Sequence, residues 1–226
     1  FTNRALAKKL LKDYAGAIAD NDRGIEIDPD KNSYIERAIA KHMLKDYAGA
    51  IADYDRGIDL GVNEAYVFSN RGVAKSKLKD YAGAIADYNK SIGIKQTNNS
   101  YINRGDAKKL LKDYAGAIAD YDRGIEIDPN YAYDYRQRAR SYYELQNYQA
   151  AIFDYTKAID LGENKASAFI NRGKAKHELG DYTGAIADYN IAIELNPNNA
   201  YDYRQRARSY YELQNYQAAK VNSTKA

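Results

Sequence analysis

Arginine recurs along this 226-residue chain at Arg4, Arg37, Arg71, Arg104, Arg138, Arg172 and Arg206. Sixteen residues after each comes a carboxylate, at Asp20, Asp53, Asp87, Asp120, Asp154 and Asp188; only the last place differs, with Asn222. A planar guanidinium can fork onto a carboxylate through two parallel N–H bonds, which lysine cannot do. Two columns of opposite charge can therefore serve as a ladder for anionic ligands or as a repeated internal bridge. The bridge is preferred, because charged columns are commonly paired or solvated. It places Arg104 and Asp120 within bonding distance.

A second constellation mixes arginine with tyrosine. Residues 132–151 are repeated without change at 200–219. They supply Tyr133, Arg136, Gln137, Arg140 and Tyr143, then Tyr201, Arg204, Gln205, Arg208 and Tyr211. Between them lie Ile170, Asn171, Lys174 and His177. Arg136 and Arg140 stand one helical turn apart, as do Arg204 and Arg208, so each pair shares a face. Arginine forks between tyrosine walls suit an acidic peptide or a terminal carboxylate. The competing reading is a solvated, self-neutralised face. Glu144, Glu178 and Glu212 follow Arg140, Lys174 and Arg208 by four residues, a spacing that permits pairing within one helix.

Other chemistries find little support. There is no cysteine, so thiolate and disulfide chemistry are excluded. The two histidines, His42 and His177, lie far apart and lack a second ligand at metal spacing, so no metal site and no cofactor is expected. No glycine-rich phosphate loop is present, and no catalytic residue is assigned. The net charge of +3 argues against a continuous basic track for nucleic acid, although "YDYRQRARSYY" interleaves arginine and tyrosine as single-strand binders do. No apolar run approaches the roughly 18 residues of a membrane span. The chain opens at Phe1 without methionine and reads as a processed fragment. Its compartment is left open, with the cytoplasm slightly favoured.

These residues sit on a repeat. The word "DYAGAIAD" and its variants begin at Asp13, Asp46, Asp80, Asp113, Asn147, Asp181 and Asn215, at intervals of 33 or 34. A fixed period of this size signals stacked supersecondary units. Each carries two helical patterns. In the second, apolar residues fall at Ala117, Ile118, Tyr121 and Ile125, at helical spacing behind an Asp113 cap. Helix ends are marked by Pro29, Pro129 and Pro197 or by Gly61 and Gly162. The first helix runs through stretches such as "SYINRGDAKKLL", where Gly105 and Ala107 permit close approach of a neighbour. Short connections make consecutive helices antiparallel neighbours.

The pattern resembles the tetratricopeptide repeat over essentially the whole chain. The fourth unit matches at Tyr101, Gly105, Ala117, Tyr121 and Pro129; Arg104 and Lys108 depart from the family's leucine and tyrosine. The phrase "NRG.AK" is, as the resemblance implies, a bacterial dialect. The implied fold is all-α: a right-handed superhelical solenoid of antiparallel helix pairs. It is expected as a single array with units near 1–30, 31–64, 65–97, 98–131, 132–165, 166–199 and a truncated 200–226. The resemblance further implies a concave groove, lined mainly by first helices, that takes a peptide or partner helix. Its first four units would present an apolar lining, with Leu6, Leu10, Ile35, Ile39, Met43, Val73, Ile102 and Leu110. The last three would present the polar residues named above, giving a preference for acidic ligands. The chaperone-tail clamp is matched only in part, since Tyr201 and Gln205 fall where cations are wanted. The function expected is a protein-interaction scaffold without catalysis. The alternative is a self-assembling repeat protein, a homo-oligomer joined through its ends or by a tail in a neighbour's groove.

Overall fold

The computed structural model describes residues 2–225, apart from the side chains of residues 2, 3, 6 and 7, so the expectation for Leu6 lies outside it. The described residues form fourteen α-helices and no strand. The fold is that of the expected helix-pair solenoid, and its contacts divide the chain into two compact units, Phe1–Lys112 and Asp113–Ala226.

The first unit contains α1 (Thr2–Leu10), α2 (Tyr14–Ile27), α3 (Lys31–Met43), α4 (Tyr47–Asp59), α5 (Ala65–Lys77), α6 (Tyr81–Ile94) and α7 (Asn98–Leu110). The second contains α8 (Tyr114–Ile127), α9 (Ala132–Glu144), α10 (Tyr148–Asp160), α11 (Ala166–Glu178), α12 (Tyr182–Leu195), α13 (Ala200–Glu212) and α14 (Tyr216–Thr224). Within each unit every helix packs on the next in sequence.

Three-residue turns join the two helices of a hairpin. In the α3–α4 turn, Lys45 takes a left-handed φ of 65°, and the Asp46 amide reaches back to the Lys41 carbonyl at 2.9 Å. This is a Schellman closure, and glycine is its usual residue. The sequence places Lys12, Lys45, Lys79 and Lys112 there, with φ of 61–66°, and glycine only at Gly180. Lys79→Gly should therefore raise stability by about 0.5–1 kcal/mol, since relief of left-handed strain exceeds glycine's added chain entropy. A urea titration checks it.

The next residue caps the following helix. The Asp80 carboxylate accepts from the Gly83 amide at 2.9 Å. A Cβ on Gly83 would lie 2.1 Å from an Asp80 oxygen, so the cap and its glycine are linked. Where Ala150 replaces the glycine, asparagine replaces aspartate, and the bond from the Ala150 amide to Asn147 lengthens to 3.3 Å. The second helices stop where expected: α2, α8 and α12 end two residues before proline, and α4 and α10 end before Gly61 and Gly162, both with φ above 90°.

Burial repeats with the sequence. Ala17, Ala50, Ala84, Ala117, Ala151 and Ala185 are buried, and so are Tyr54, Tyr88, Tyr121, Tyr155 and Tyr189. Tyr88 and Tyr189 press on glycines of the first helix, Gly72 and Gly173. A Cβ on Gly72 would fall 2.8 Å from the Tyr88 ring.

The arginine and aspartate columns are internal bridges. Arg37 donates to both carboxylate oxygens of Asp53, at 2.8 and 2.6 Å, and Arg138 to those of Asp154, both at 2.7 Å. Arg4, Arg71 and Arg172 grip Asp20, Asp87 and Asp188 in the same way. Arg206 donates to the Asn222 amide oxygen at 2.8 Å. Arg104 belongs to the first unit and Asp120 to the second. The third guanidinium nitrogen adds a contact that the sequence did not suggest. It reaches back to the preceding hairpin, from Arg37 to Asp22, Arg71 to Asp55 and Arg138 to Asp122, each at 2.6 Å. One side chain thus ties three helices together. The lysine that departs from the family pattern is explained as well. Lys41, Lys75 and Lys176 set a second cation on the bridged aspartate at 2.8–2.9 Å.

Candidate functional site

The polar constellation lies in the second unit. Arg140 and Tyr143 project from α9, Asn171 and Lys174 from α11, and together with Glu144 and Tyr155 they line a pocket of about 100 Å³. Four of these six were expected from sequence. Tyr155 was hidden among the core tyrosines, and Glu144 stood as a neutralising partner for Arg140. Among the described residues no hydrogen bond or ion pair ties any of the six side chains to another. The expected Arg140–Glu144, Lys174–Glu178 and Arg208–Glu212 pairs are absent from the ion pairs described. Lys174 instead holds its ammonium 5.1 Å from the centre of the Tyr143 ring. Burial pushes the Tyr143 phenol up to about 12 and raises that of Tyr155 further, so both stay protonated donors.

Tyr155 and Asn171 both open into the pocket. The cluster carries two cations and one carboxylate on a scaffold of buried helices.

The other candidates are placed differently. Arg136 stacks 4.9 Å from the centre of Tyr133 and pairs at 2.8 Å with Glu163 in the turn before α11, so its charge is spent inside the fold. Tyr133 itself stacks on Tyr131. Gln137 is buried, which removes it from any ligand-facing surface. Arg204, Arg208 and Tyr211 line a separate, open depression of about 350 Å³ with Ala207, Ala219 and Ser223. Arg208 donates to Gln205 at 3.3 Å, and Tyr201 is partly exposed. His177 contacts the Ser209 hydroxyl at 2.8 Å and packs edgewise on Tyr182; burial, then Arg208, lowers its pKa. In the first unit Ile35 and Ile102 are buried in the helix packing and correct the expectation that they line a groove. Ile39 and Val73 are half-buried against core clusters, whereas Met43, Leu110 and Leu10 are exposed.

No group of three histidine, cysteine or acidic side chains among the described residues could hold a metal ion, and no described helix is long and apolar enough to cross a membrane.

No curated protein matches the sequence significantly. Among solved structures, the C-terminal part of a TPR repeat-containing protein from Cytophaga hutchinsonii superposes with a TM-score of 0.77 at 22% identity, covering 84% of this chain and 77% of that one. MamA gives 0.66 at 22% identity, covering 68% and 91%. YrrB, described as a TPR protein with an unusual peptide-binding site, gives 0.72 at 18% identity, covering 80% and 95%. At these identities the likeness is one of fold. Tetratricopeptide repeat family models match residues 65–98, 99–131 and 166–199, and a TPR repeat model matches 139–180. Repeat period, helix-pair fold and these matches agree, and the chain belongs to the tetratricopeptide repeat family.

Proposed function

We propose that the second unit binds an acidic segment of a partner polypeptide through the Arg140–Lys174 pocket. The tetratricopeptide repeat is a protein-interaction module, and the chain is a scaffold of that kind. The peptide-binding site named for the similarly folded YrrB supports a peptide as the ligand class. The observation that carries the acidic preference is the open polar lining. Arg140 and Lys174 are not neutralised by their helix neighbours, and Asn171, Tyr143 and Tyr155 add donors around them. Two cations against Glu144 leave one net positive charge, which suits a carboxylate. A charge-assisted bond from such partly buried donors contributes about 1.5–3 kcal/mol.

Titration of the full chain with matched acidic and basic peptides tests the reading. The acidic peptide should bind about tenfold or more tightly, an advantage that shrinks with added salt. Replacing Arg140 and Lys174 with alanine should remove it. Equal weak binding of both peptides would defeat the proposal.

A further inference from the structure

A second recess, of about 460 Å³, lies over the Arg138–Asp154 bridge. Tyr142 and Phe153 form its aromatic walls, with Gln149 and Ala150 beside them. Phe153 is 60% exposed, large for an unpartnered aromatic ring. Five other hairpins have alanine at its place, at Ala19, Ala52, Ala86, Ala119 and Ala187.

The hairpins themselves show what is missing. Lys8, Lys41, Lys75 and Lys176 each place an ammonium 2.8–2.9 Å from Oδ2 of the bridged aspartate. In the α9–α10 hairpin the corresponding residue is Tyr142. Charge then fails to balance. Arg37 and Lys41 face Asp22 and Asp53, and Arg71 and Lys75 face Asp55 and Asp87, two cations for two carboxylates. Arg138 alone faces Asp122 and Asp154, leaving one negative charge in excess. The α13–α14 hairpin also replaces the lysine, with Tyr210, but there Asn190 and Asn222 replace both carboxylates. Only the α9–α10 hairpin, among those whose bridges are described, combines the missing ammonium with retained acids and an added aromatic wall.

We infer that this recess receives a lysine side chain from a partner polypeptide, its aliphatic stem against Phe153 and Tyr142 and its ammonium where the sister hairpins hold their own. Lysine fits better than arginine, because Arg138 already occupies the fork position and the unfilled place is that of a compact ammonium. The aromatic walls favour a cation over a neutral chain of the same length. Burial raises the Asp154 pKa, as expected of a carboxylate enclosed in the helix packing. The ligand is opposite in charge to that of the Arg140–Lys174 pocket, so the two sites stand or fall separately.

The test is an NMR titration of the full chain with Nα-acetyl-lysine amide, followed through the rings of Phe153 and Tyr142. A saturable shift is expected, with the Nε-acetylated form about tenfold weaker. Tyr142→Lys supplies the ammonium from within, as in the sister hairpins, and should abolish the response without lowering the melting temperature. Phe153→Ala, which restores the sister residue, should weaken binding several-fold and covers the case in which Tyr142→Lys fails to fold. Equal response to both probe forms, a response unchanged in a folded Tyr142→Lys variant, or no response at all would overturn the inference.

Discussion

Replacing Arg71 with alanine is expected to destabilise the first unit by about 3–5 kcal/mol, the range seen when one partner of a buried ion pair is removed. The side chain is only 11% exposed and joins three helices. It donates to both oxygens of Asp87 at 2.9 and 2.5 Å and to Asp55 at 2.6 Å, and its guanidinium lies over Phe68. Without it the Asp87 carboxylate stays buried with Lys75 as its only cation. Lys75 moderates the loss, so the lower end of the range is the better expectation. Arg71→Lys should recover little, because an ammonium cannot fork onto two oxygens while reaching a third. Arg206→Ala provides the contrast. Its acceptors, Asn222 and Asn190, are neutral, so no buried charge is stranded and about 1–2 kcal/mol should be lost. Urea unfolding midpoints for the three variants give the ordering. If Arg71→Ala and Arg206→Ala proved equal, the charge on the bridged aspartate would have no part in holding the hairpins together.

These bridges were legible in the sequence because identical pairs recur at one spacing. The same holds for the aspartate caps and for the prolines and glycines that end the second helices. Single events were harder to read. Arg136 pairs with Glu163 across 27 residues, a contact that no period announces. Ile35 and Ile102 share the helical spacing of a groove lining but face the core, since a first helix packed on both flanks carries more than one apolar stripe. Lys108 read as a departure from the family's tyrosine, when lysine at this place in Lys41 and Lys75 is the second cation on the bridge. The pocket lay between these extremes. Arg140, Tyr143, Asn171 and Lys174 were visible as types on first helices, but Tyr155 looked like one more core ring. Its place on the pocket wall, beside Arg140 and Lys174, is not revealed by spacing alone.

The tyrosine column breaks at Asn21 and Ser223, and the first break yields the opposite kind of prediction: Asn21→Tyr is expected to stabilise the first hairpin by about 2 kcal/mol. The twenty residues 10–29 differ from 110–129 only at this place, where Asn21 stands for Tyr121. Asn21 is 1% exposed, and its side-chain oxygen is buried with no hydrogen-bond partner. An unsatisfied buried acceptor costs about 1–3 kcal/mol, and a buried aromatic ring adds about 1.5–3 kcal/mol of transfer free energy. Overpacking works against this, at about 1–3 kcal/mol where a ring must be forced in. The facing residue Ala5 is matched by Ala38 and Ala139 opposite Tyr54 and Tyr155, both buried rings, so the fold already accommodates tyrosine beside alanine. Asn21→Ala separates the contributions. It removes the stranded oxygen without adding a ring, and should fall between the parent and Asn21→Tyr. Amide hydrogen exchange in α1 and α2 gives the local readout, with slower exchange expected for the tyrosine variant. Faster exchange in Asn21→Tyr than in Asn21→Ala would mean that the first hairpin has closed around the smaller side chain and no longer has the tyrosine's place.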